Sequence, residues 1–371
     1  MSEFREAVSP LIATLPRREL AHMIRLVRTL YHLGRLESYR QLIAPELPAT
    51  ARFNPGHDSV MMGYDFHLTE DGARLIEVNT NAGGSLLSYL AHVPESALAA
   101  LDLPHRLKAQ LLRSFAAEMG SFGGTAPERP GRIAIVDETP NRQFLYPEME
   151  VFSELFRQWG SEAVIADPSE LEAGAAGVSC RGERIDLIYN RHCDFYLESE
   201  PMAGIRAAYL SGSVCLTPNP FTYGLLADKR RMVLWSDADQ LARLGLGEAE
   251  RTLLAEIVPQ CHLLRDMGRE ALWKERKGWV FKPVSRFGSR GVLLGRKVSR
   301  KRFEELEAGE TLVQRLAEPS ITGEDSETPM KTDFRLYAYR SHILGVAARL
   351  YQGQVTNLRT AGGGFAPVRV V

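Results

Sequence analysis

Two neighbouring segments near residue 70 carry side chains that could bind a metal ion. The first, DGARLIEVNTNAGG at residues 71–84, alternates Glu77 and Asn79 after an apolar run, and the strand-like segment before it, VMMGYDFHL, carries Asp65. A turn centred on Asp71 pairs Asp65 with Glu77, whereas a two-residue Asp-Gly turn shifts the pairing by one residue. With the first pairing, two carboxylates and the Asn79 amide oxygen form a hard, all-oxygen site suited to Mg²⁺. A solvated strand end explains the same residues equally well.

A lysine and several glycines combine in WVFKPVSRFGSRGVLLG at residues 279–295. Lys282 ends an apolar strand, and the loop with Gly288 and Gly291 leads into the next strand. Glycine lets backbone N–H groups approach an anion closely, and lysine adds a point charge. The segment therefore predicts a loop that covers phosphate groups, although it is not a Walker A motif, since no Gly-Lys dipeptide follows. A glycine-rich hairpin with surface arginines is the alternative.

Three further segments carry weaker signals. TLVQRLAEP at 311–319 is an apolar strand that could border an adenine, with Glu318 near ribose hydroxyls, although ordinary strands look the same. The strands of 333–364 contain arginines that could clamp phosphoryl or carboxylate oxygens, or form salt bridges across the sheet. Lys229 follows a strand and loop at the start of a helix, where a solvated lysine is the simpler interpretation.

The elements that must position these residues change in type along the chain. Residues 3–45 and 95–118 have the apolar spacing of amphipathic helices, whereas 60–92 predicts a hairpin. From 131 onward strands alternate with helices, which indicates a parallel sheet. Residues 228–275 are mostly helical, and strands dominate from 279, with one helical piece at 299–308. Ligands collect beyond the carboxyl ends of parallel strands, and the candidates there are Asn141, Arg142, Asn190 and Arg191.

Composition excludes several classes of protein. The 371 residues allow two or three domains, and the net charge of −1 gives no overall attraction to nucleic acid or membranes. The four cysteines show no C-x-x-C pair or metal-ligand spacing, so we expect reduced, structural thiols. No signal-peptide pattern and no apolar run of about 18 residues occurs. We therefore expect a cytoplasmic protein that binds neither nucleic acid nor membranes; its oligomeric state cannot be read from the sequence.

The order of the segments resembles the ATP-grasp superfamily, in particular ligases of the glutathione synthetase type. LADKR, FKPVSRFGSRG, LVQRLAEP, TDFRLYAYRS, AARLY and TNLRTAGGG follow one another as in that family. The last family pieces are a Gly-x-Asp strand and a Glu-hydrophobic-Asn strand, which here stand near the front as GYD at 63–65 and EVN at 77–79. The chain thus looks like a circularly permuted ATP-grasp protein with glutathionylspermidine-synthetase-like relatives. The resemblance covers residues 60–90 and 131–371.

The resemblance implies an α/β protein with α+β elements and five regions. They are an added N-terminal helical segment at 1–59, the permuted magnesium-binding strands with helices at 60–125, a Rossmann-like parallel-sheet domain at 126–228, a lid subdomain with the glycine-rich loop at 229–310, and the rest of the catalytic subdomain at 311–371. The two glycine-rich endings, near residues 84 and 364, would then be neighbours in space. The helices at 3–45 and 95–118 have no counterpart in the family pattern.

The resemblance also implies roles for individual residues, with ATP and two Mg²⁺ ions as cofactors. The metal ligands would be Asp65, Glu77 and Asn79. The ATP contacts would be Lys229, Lys282, Ser285, Gly288, Ser289, Gly291, Gln314, Arg315, Leu316 and Glu318. Arg335, Arg349, Asn357 and Lys282 would act on the reacting groups, and Asn141, Arg142, Arg191 and Arg359 would contact the substrate.

The implied reaction joins a carboxylate to an amine through an acyl phosphate, with release of ADP and phosphate. The substrates would be small molecules or peptides, and the arginines suggest an anionic substrate. Two alternatives remain open: an ATP-grasp kinase that phosphorylates a small molecule, and a nucleotide-binding module without catalysis. The spatial test is whether Asp65 and Glu77 meet Lys282 around one cleft.

Overall fold

The computed structural model describes residues 8–90, 103–124, 129–285, 291–326, 328–357 and 360–371. The strands of these ranges are β1 (Ala13–Leu15), β2 (Met62–Thr69), β3 (Gly72–Asn79), β4 (Arg132–Val136), β5 (Glu162–Ala166), β6 (Leu171–Gly174), β7 (Gly177–Cys180), β8 (Glu183–Arg184), β9 (Leu187–Asn190), β10 (Cys215–Thr217), β11 (Cys261–Leu263), β12 (Trp279–Pro283), β13 (Leu293–Leu294), β14 (Thr311–Arg315), β15 (Ser320–Thr322), β16 (Met330–Tyr339), β17 (His342–Tyr351), β18 (Gly364–Ala366) and β19 (Val368–Val370). The α-helices are α1 (Arg17–Leu33), α2 (Glu37–Ile43), α3 (Ala49–Arg52), α4 (Ser85–Leu90), α5 (His105–Ser121), α6 (Tyr146–Trp159), α7 (Ala203–Leu210), α8 (Pro220–Thr222), α9 (Arg231–Trp235), α10 (Ala238–Arg243), α11 (Glu248–Ile257), α12 (Arg269–Glu275) and α13 (Arg300–Glu304).

The central sheet joins distant parts of the sequence. Its strand order is β18-β17-β16-β2-β3, and β15 also pairs with β16. The hairpin of β2 and β3 therefore completes a sheet whose other strands lie more than 230 positions later, as shown by the pairing of Asp65 with Arg335. Helix α1 places Met23, Val27 and Leu30 in the same core cluster as residues of this sheet. The fold thus brings the front of the chain to the strands near its other end.

The hairpin has the predicted pairing but reaches it in a different way. Thr69 pairs with Gly72, so the turn consists of two residues, Glu70 and Asp71. A bulge at Ile76 then shifts the register, so that Asp65 pairs with Glu77. One extra residue in a strand turns its backbone groups away from the ladder. The bulge matters for the site because it leaves the Ile76 carbonyl available to another sheet.

A parallel sheet with the order β10-β9-β4-β5 confirms the prediction from the alternating pattern. Strands β4, β9 and β10 are largely buried, as expected when helices cover both faces of a sheet, whereas the edge strand β5 is only partly buried. Helix α6 lies in the connection from β4 to β5 and ends at Gly160, whose φ of +91° favours glycine. Loops after β4 and β9 therefore meet at one edge.

A smaller antiparallel sheet, β11-β14-β12-β13, carries Lys282 on β12. A further antiparallel sheet, β6-β7-β8, lies within the predicted Rossmann-like region and was not predicted. The segment 228–275, predicted as mostly helical, also contains strand β11.

The N-terminal prediction is only partly correct. Helices α1 and α2 confirm most of the predicted helical segment at 3–45, but Ala13–Leu15 forms a strand that pairs in parallel with Val368–Val370. Three residues with a partner over 350 positions away leave no periodic signal in the sequence. Residues 1–7 and 91–102 lie outside the described ranges, and α5 accounts for the later part of the predicted helix at 95–118.

Candidate functional site

The smaller antiparallel sheet contacts the hairpin of the central sheet through Lys282. The Lys282 Nζ atom donates a hydrogen bond of 2.9 Å to the Ile76 carbonyl oxygen at the bulge. The lysine is 4% exposed, and burial lowers its pKa while the nearby Glu77 opposes that effect. Two segments separated by 206 positions therefore meet beside the predicted metal ligands.

These segments border one cavity of about 490 Å³. Predicted site residues that line it are Asp65, Glu77, Asn79, Arg191, Lys282, Gln314, Leu316, Glu318, Arg335, Arg349 and Asn357. This volume lies in the ordinary range for small-molecule sites. The spatial expectation from the sequence is confirmed, since Asp65, Glu77 and Lys282 border the same cleft.

Asp65 is the centre of a buried charged cluster, here named the Asp65 cluster (Asp65, Asp333, Arg335 and Arg349). Arg335 donates to both carboxylate oxygens of Asp65, at 2.6 Å and 2.7 Å, and Arg349 donates to its Oδ2 at 2.7 Å. Burial by itself raises the pKa of Asp65, but the two guanidinium groups outweigh this effect and hold the pKa at about 2. Asp65 is therefore an anion held in place by two cations.

Asp333 forms an ion pair with Arg349, the second arginine of the cluster. Arg349 donates to Asp333 Oδ1 at 2.5 Å and to Oδ2 at 2.9 Å, and the Thr356 hydroxyl donates to Oδ2 at 2.7 Å. Two carboxylates and two guanidinium groups thus form a neutral set at the cavity wall. Bidentate pairs of this type fix the planes of both partners, so the arginines are held rigidly beside the cavity.

The predicted metal ligands are adjacent, and their chemistry suits a hard cation. Asn79 Nδ2 lies 3.2 Å from Asp65 Oδ2 and 3.3 Å from Glu77 Oε1, so its amide bridges the two carboxylates. Asp65 Oδ2 already has three donors and Oδ1 has one, which leaves one lone pair of Oδ1 for another partner. A cation between the carboxylates requires the Asn79 amide turned so that its oxygen faces it. Across the described ranges, no three His, Cys, Asp or Glu side chains are grouped to hold a metal.

Another part of the cavity wall is apolar and comes from the smaller antiparallel sheet. Val280, Val292, Leu294 and Leu316 line it. Gln314 enters the cavity between these residues and the hairpin, and its amide lies 3.5 Å from the Ile76 carbonyl oxygen. A flat aromatic ring would fit such a surface by apolar contact.

Arg315, predicted beside these residues, does not line the cavity. Its exposed side chain lies over the Trp279 ring, 5.3 Å from the ring centroid. Successive side chains of a strand point to opposite faces, so Gln314 and Arg315 cannot both face the cavity. Glu318 lines the cavity and forms an ion pair with Arg296.

His67 is a cavity residue that the sequence reasoning missed. Its Nδ1 atom lies 2.7 Å from the Ala317 carbonyl oxygen, and burial lowers its pKa. A neutral imidazole that donates to this carbonyl connects β2 to the end of the predicted adenine strand. The only sequence signal is its place two residues after Asp65, on the same face of the strand.

Arg191, at the edge of the parallel sheet, lines the cavity and also binds the loop that follows β3. Its Nη1 donates to the carbonyl oxygens of Asn81, at 3.1 Å, and Ala82, at 3.3 Å, and its Nη2 lies 4.0 Å from Glu148. Asn81 returns a hydrogen bond of 3.1 Å to the Arg191 carbonyl oxygen. These contacts hold the Arg191 guanidinium group at the cavity wall, and its role as a substrate contact stays a prediction.

Asn141 and Arg142 are exposed and do not line the cavity, unlike the residues that follow them, Gln143, Phe144 and Leu145. The predicted loop is correct, but the predicted side chains are not those at the cavity. The turn at Pro140–Arg142 directs the chain back, and the apolar residues that begin α6 then pack inward. Apolar wall residues of this kind carry no motif in a sequence.

Solved structures share this arrangement of sheets. A glutathione synthetase-like effector from Globodera pallida superposes with a TM-score of 0.56 at 9% identity, covering 98% of this chain and 90% of that chain. A putative γ-glutamylcysteine synthetase from Methylobacillus flagellatus gives a TM-score of 0.55 at 11% identity, covering 94% and 87%. The chain has an ATP-grasp fold of the glutathione synthetase type. No protein-family model matches the chain, and no curated protein matches its sequence.

The ATP-grasp fold brings the two glycine-rich segments together, as expected. A Cβ atom on Gly84 would lie 1.9 Å from the Phe365 ring, and the φ of Gly84 is +97°. Both observations require glycine at this position. The residue next to Gly364 therefore packs directly on the loop after β3.

Lys229 lies in a turn just before α9 of the ATP-grasp fold, rather than at the first residue of the helix. Its neighbour Asp228 is 2% exposed and accepts hydrogen bonds from the Tyr196 hydroxyl at 2.6 Å and the Arg230 backbone at 2.9 Å. Lys229 is half-buried and close enough to Lys282 to lower the pKa of that lysine. The turn thus places Lys229 near Lys282 of β12.

The glycine-rich loop of the ATP-grasp fold is described only at its two ends. Ser285 is exposed, and Gly291 has a φ of +78°, which favours glycine. Gly288, Ser289 and Arg359 lie outside the described residues. Their predicted contacts stay predictions.

Proposed function

We propose that this protein is an ATP-dependent carboxylate–amine ligase, which forms an amide or peptide bond and releases ADP and phosphate. The observation that carries the proposal is the contact of Lys282 with the bulge at Ile76, next to the paired residues Asp65 and Glu77. It joins a cation from one sheet to the carboxylates of another around a single cavity. Phosphoryl transfer depends mainly on such positioned charges.

In this proposal the nucleotide base lies against the apolar wall of Val280, Leu294 and Leu316. The phosphates then extend toward Lys282, which lines the cavity, and toward Lys229, which lies near it. Two neighbouring lysines suit a polyanion better than a single charge. Glu318 is the candidate for ribose hydroxyls, and Gly288, Ser289 and Gly291 for the loop over the phosphates. Arg315 could contribute only through its backbone.

Asp65, Glu77 and Asn79 would hold Mg²⁺, with Glu77 as the main ligand because most lone pairs of Asp65 are used by the arginines. A bound Mg²⁺ would neutralise charge on the β- and γ-phosphate oxygens. The Asp65 carboxylate would also position Arg335 and Arg349 at the cavity wall through its ion pairs with them.

The proposed reaction has two transfers. The substrate carboxylate attacks the γ-phosphorus, the bond to the β-phosphate oxygen breaks, and ADP leaves. The amine then attacks the acyl phosphate carbon, loses a proton, and displaces inorganic phosphate. Lys282, Arg335, Arg349 and Asn357 would stabilise the charge on the transferred group. No covalent nucleophile of the enzyme is required.

The order of these segments supports circular permutation of the ATP-grasp fold. The β2–β3 hairpin precedes the strand of Lys282 in sequence, yet it pairs with β16 in the central sheet. Strands β1 and β19 also pair, so the two ends of the sheet region are adjacent. Such proximity makes a permuted order physically tolerable.

The test compares Lys282→Met with Lys277→Met, a matched change at an exposed lysine near the start of the same strand. ADP release and product mass are measured with Mg²⁺, ATP and pairs of acids and amines. We expect amide formation that only Lys282→Met abolishes. A phosphorylated acceptor without amide would instead identify a kinase, and nucleotide binding without turnover across the panel would identify a binding module. Equal turnover of both variants would refute the proposed site.

A further inference from the structure

The cavity has a second side that the proposed ATP contacts leave unused. Strand β3 contacts Lys282 at Ile76, and the loop after it contacts Arg191 at Asn81. A strand rises about 3.3 Å per residue, so these contacts lie roughly 16 Å apart with Glu77 and Asn79 between them. One side of the cavity therefore adjoins the smaller antiparallel sheet, and the other adjoins the carboxyl ends of the parallel strands.

Asp137 is the buried acid on this second side. It is the first residue after β4, is 9% exposed, and lines the cavity. Its Oδ1 accepts a hydrogen bond of 2.8 Å from the Glu138 backbone N–H. The carboxylate of a buried residue that borders a cavity is a ready partner for a cationic ligand.

The guanidinium group near Asp137, that of Arg191, already has other partners. Arg191 holds the carbonyl oxygens of Asn81 and Ala82 and faces Glu148, so it neutralises Asp137 only in part. The other charged groups near Asp137 are Glu138 and Asp167, both acidic. Burial, opposed by Arg191, raises the pKa of Asp137 to about 6. The local field therefore favours a cation and disfavours an anionic ligand.

Apart from Gln143, the loop after β4 and the start of α6 contribute mainly apolar side chains to the cavity wall. Phe144, Leu145 and Met149 line the cavity from the loop after β4 and the start of α6, and Phe195 lines it from the loop after β9. The Phe195 ring stacks on Tyr223 with centroids 4.4 Å apart, which holds it in place. A cavity bordered by this acid and by apolar side chains suits a ligand with one positive group on an uncharged, apolar body.

We propose that Asp137 binds the ammonium group of the amine substrate, and that this substrate has a neutral, apolar body rather than an acidic one. This inference rests on the proposed ligase function and names the class of its amine. It also reverses the sequence-based suggestion of an anionic substrate on this side of the cavity.

The test measures direct binding of small amines by calorimetry, without turnover. The probes are benzylamine and leucinamide, with N-acetyl-leucinamide and glutamate as controls for the ammonium group and for the neutral body. They are titrated into the wild type, Asp137→Asn, Asp137→Ser, and Glu138→Gln, which changes the adjacent exposed acid. Thermal melting confirms that each variant is folded.

We expect both neutral amines to bind the wild type and Glu138→Gln, and to bind each Asp137 variant at least about tenfold more weakly, as for loss of a charge-assisted hydrogen bond. The acetylated probe and glutamate should bind at least about tenfold more weakly than leucinamide. Unchanged amine affinity in both folded Asp137 variants would overturn the inference. So would tighter binding of glutamate, or no binding by either amine.

A parallel titration with Mg²⁺ and a non-hydrolysable ATP analogue separates this inference from the proposed function. Asp137→Asn should bind the analogue as the wild type does, whereas Lys282→Met should not. If the wild type fails to bind the analogue but binds amines through Asp137, the ligase proposal fails and the amine site stands. If the analogue binds and the Asp137 variants bind amines normally, only the amine site fails.

Discussion

Two equally buried carboxylates of this protein have different surroundings. Asp65 is 1% exposed and Glu118 is 0% exposed. The Glu118 cluster (His57, Asp58, Glu118, Thr217 and Tyr339) supplies four partners at 2.8–3.1 Å, two for each carboxylate oxygen. All lone pairs of Glu118 are therefore used, and it lies outside the cavity lining.

The Asp65 cluster differs in charge and in access. Its partners are mainly guanidinium groups, one lone pair of Asp65 Oδ1 remains, and all four members line the cavity. Burial of an acid thus does not by itself mark a functional site. A functional interpretation requires an open volume and a remaining capacity to bind, which the Asp65 cluster has and the Glu118 cluster lacks.

The largest expected effect is on turnover by Glu77→Gln beside the Asp65 cluster. The neutral amide removes the charge that we assign to metal binding, so ADP release should fall roughly 1,000-fold. Turnover at saturating ATP and the Mg²⁺ dependence of nucleotide binding measure this loss. Glu70→Gln, in the exposed turn of the same hairpin, should behave as the wild type. Equal activity of the two variants would show that Glu77 does not bind the metal ion needed for turnover.

The Glu118 cluster should respond in stability rather than in ligand binding. Glu118→Ala leaves several buried donors without an acceptor, and we expect the free energy of unfolding to fall by about 3 kcal/mol. Urea unfolding measures this change, with the exposed Arg113→Ala on the same helix as control. The affinity of the folded variant for Mg²⁺ and an ATP analogue should not change. A selective loss of nucleotide affinity would show that the clusters are coupled.

Asp137 is a third buried acid, and we expect it to make the free energy of unfolding depend on pH. Its folded pKa of about 6 lies above the ordinary value of 3.8, so the folded state binds the proton more tightly than the unfolded state does. The corresponding stability is present below pH 4 and is lost as the pH rises through about 6. Asp137→Asn lacks this loss and should exceed the wild type by about 2 kcal/mol at pH 7. Urea unfolding of both proteins at pH 4, 5, 6 and 7 measures this difference in the free energy of unfolding. A difference that does not change with pH would contradict the expectation.

The smallest effect is expected at the edge of the Asp65 cluster. Thr356→Val removes the hydroxyl that donates to Asp333 and should lower the free energy of unfolding by about 1 kcal/mol. Thr356→Ser keeps the hydroxyl and should retain most of that stability. A loss as large as that of Glu118→Ala would mean that the cavity-side cluster depends on this one bond. Urea unfolding of the three proteins decides the point.

Sequence reasoning succeeded where side-chain type and local spacing determine position. The end of an apolar strand at Lys282 and the parallel sheet both follow from patterns of a few residues. The pairing of Asp65 with Glu77 agrees with one of the two registers considered, but the structure reaches it through the bulge at Ile76. Their convergence did not follow from spacing, because contacts across more than 200 positions leave no local trace. It came from the order of motifs shared with a fold family.

The missed features depend on geometry that sequence patterns do not encode. The bulge at Ile76 exposes the carbonyl that Lys282 binds, and nothing in ARLIEVN marks the extra residue. Arg191, a predicted substrate contact beyond β9, lines the cavity and also donates to the β3 loop, a contact that its place in the sequence does not show. Asp137 did have a signal, since it directly follows the parallel strand RIAIV, where ligands collect.

The pairing of β2 with β16 has a consequence for synthesis of the chain. Asp65 and its partner Arg335 are 270 positions apart, so at 5–20 residues per second the ribosome needs roughly 15 to 50 s between them. During that interval the hairpin has an open strand edge and an unneutralised acid. Open edges are prone to aggregation, and the charge of Asp65 on that edge would discourage pairing with other nascent chains until β16 emerges.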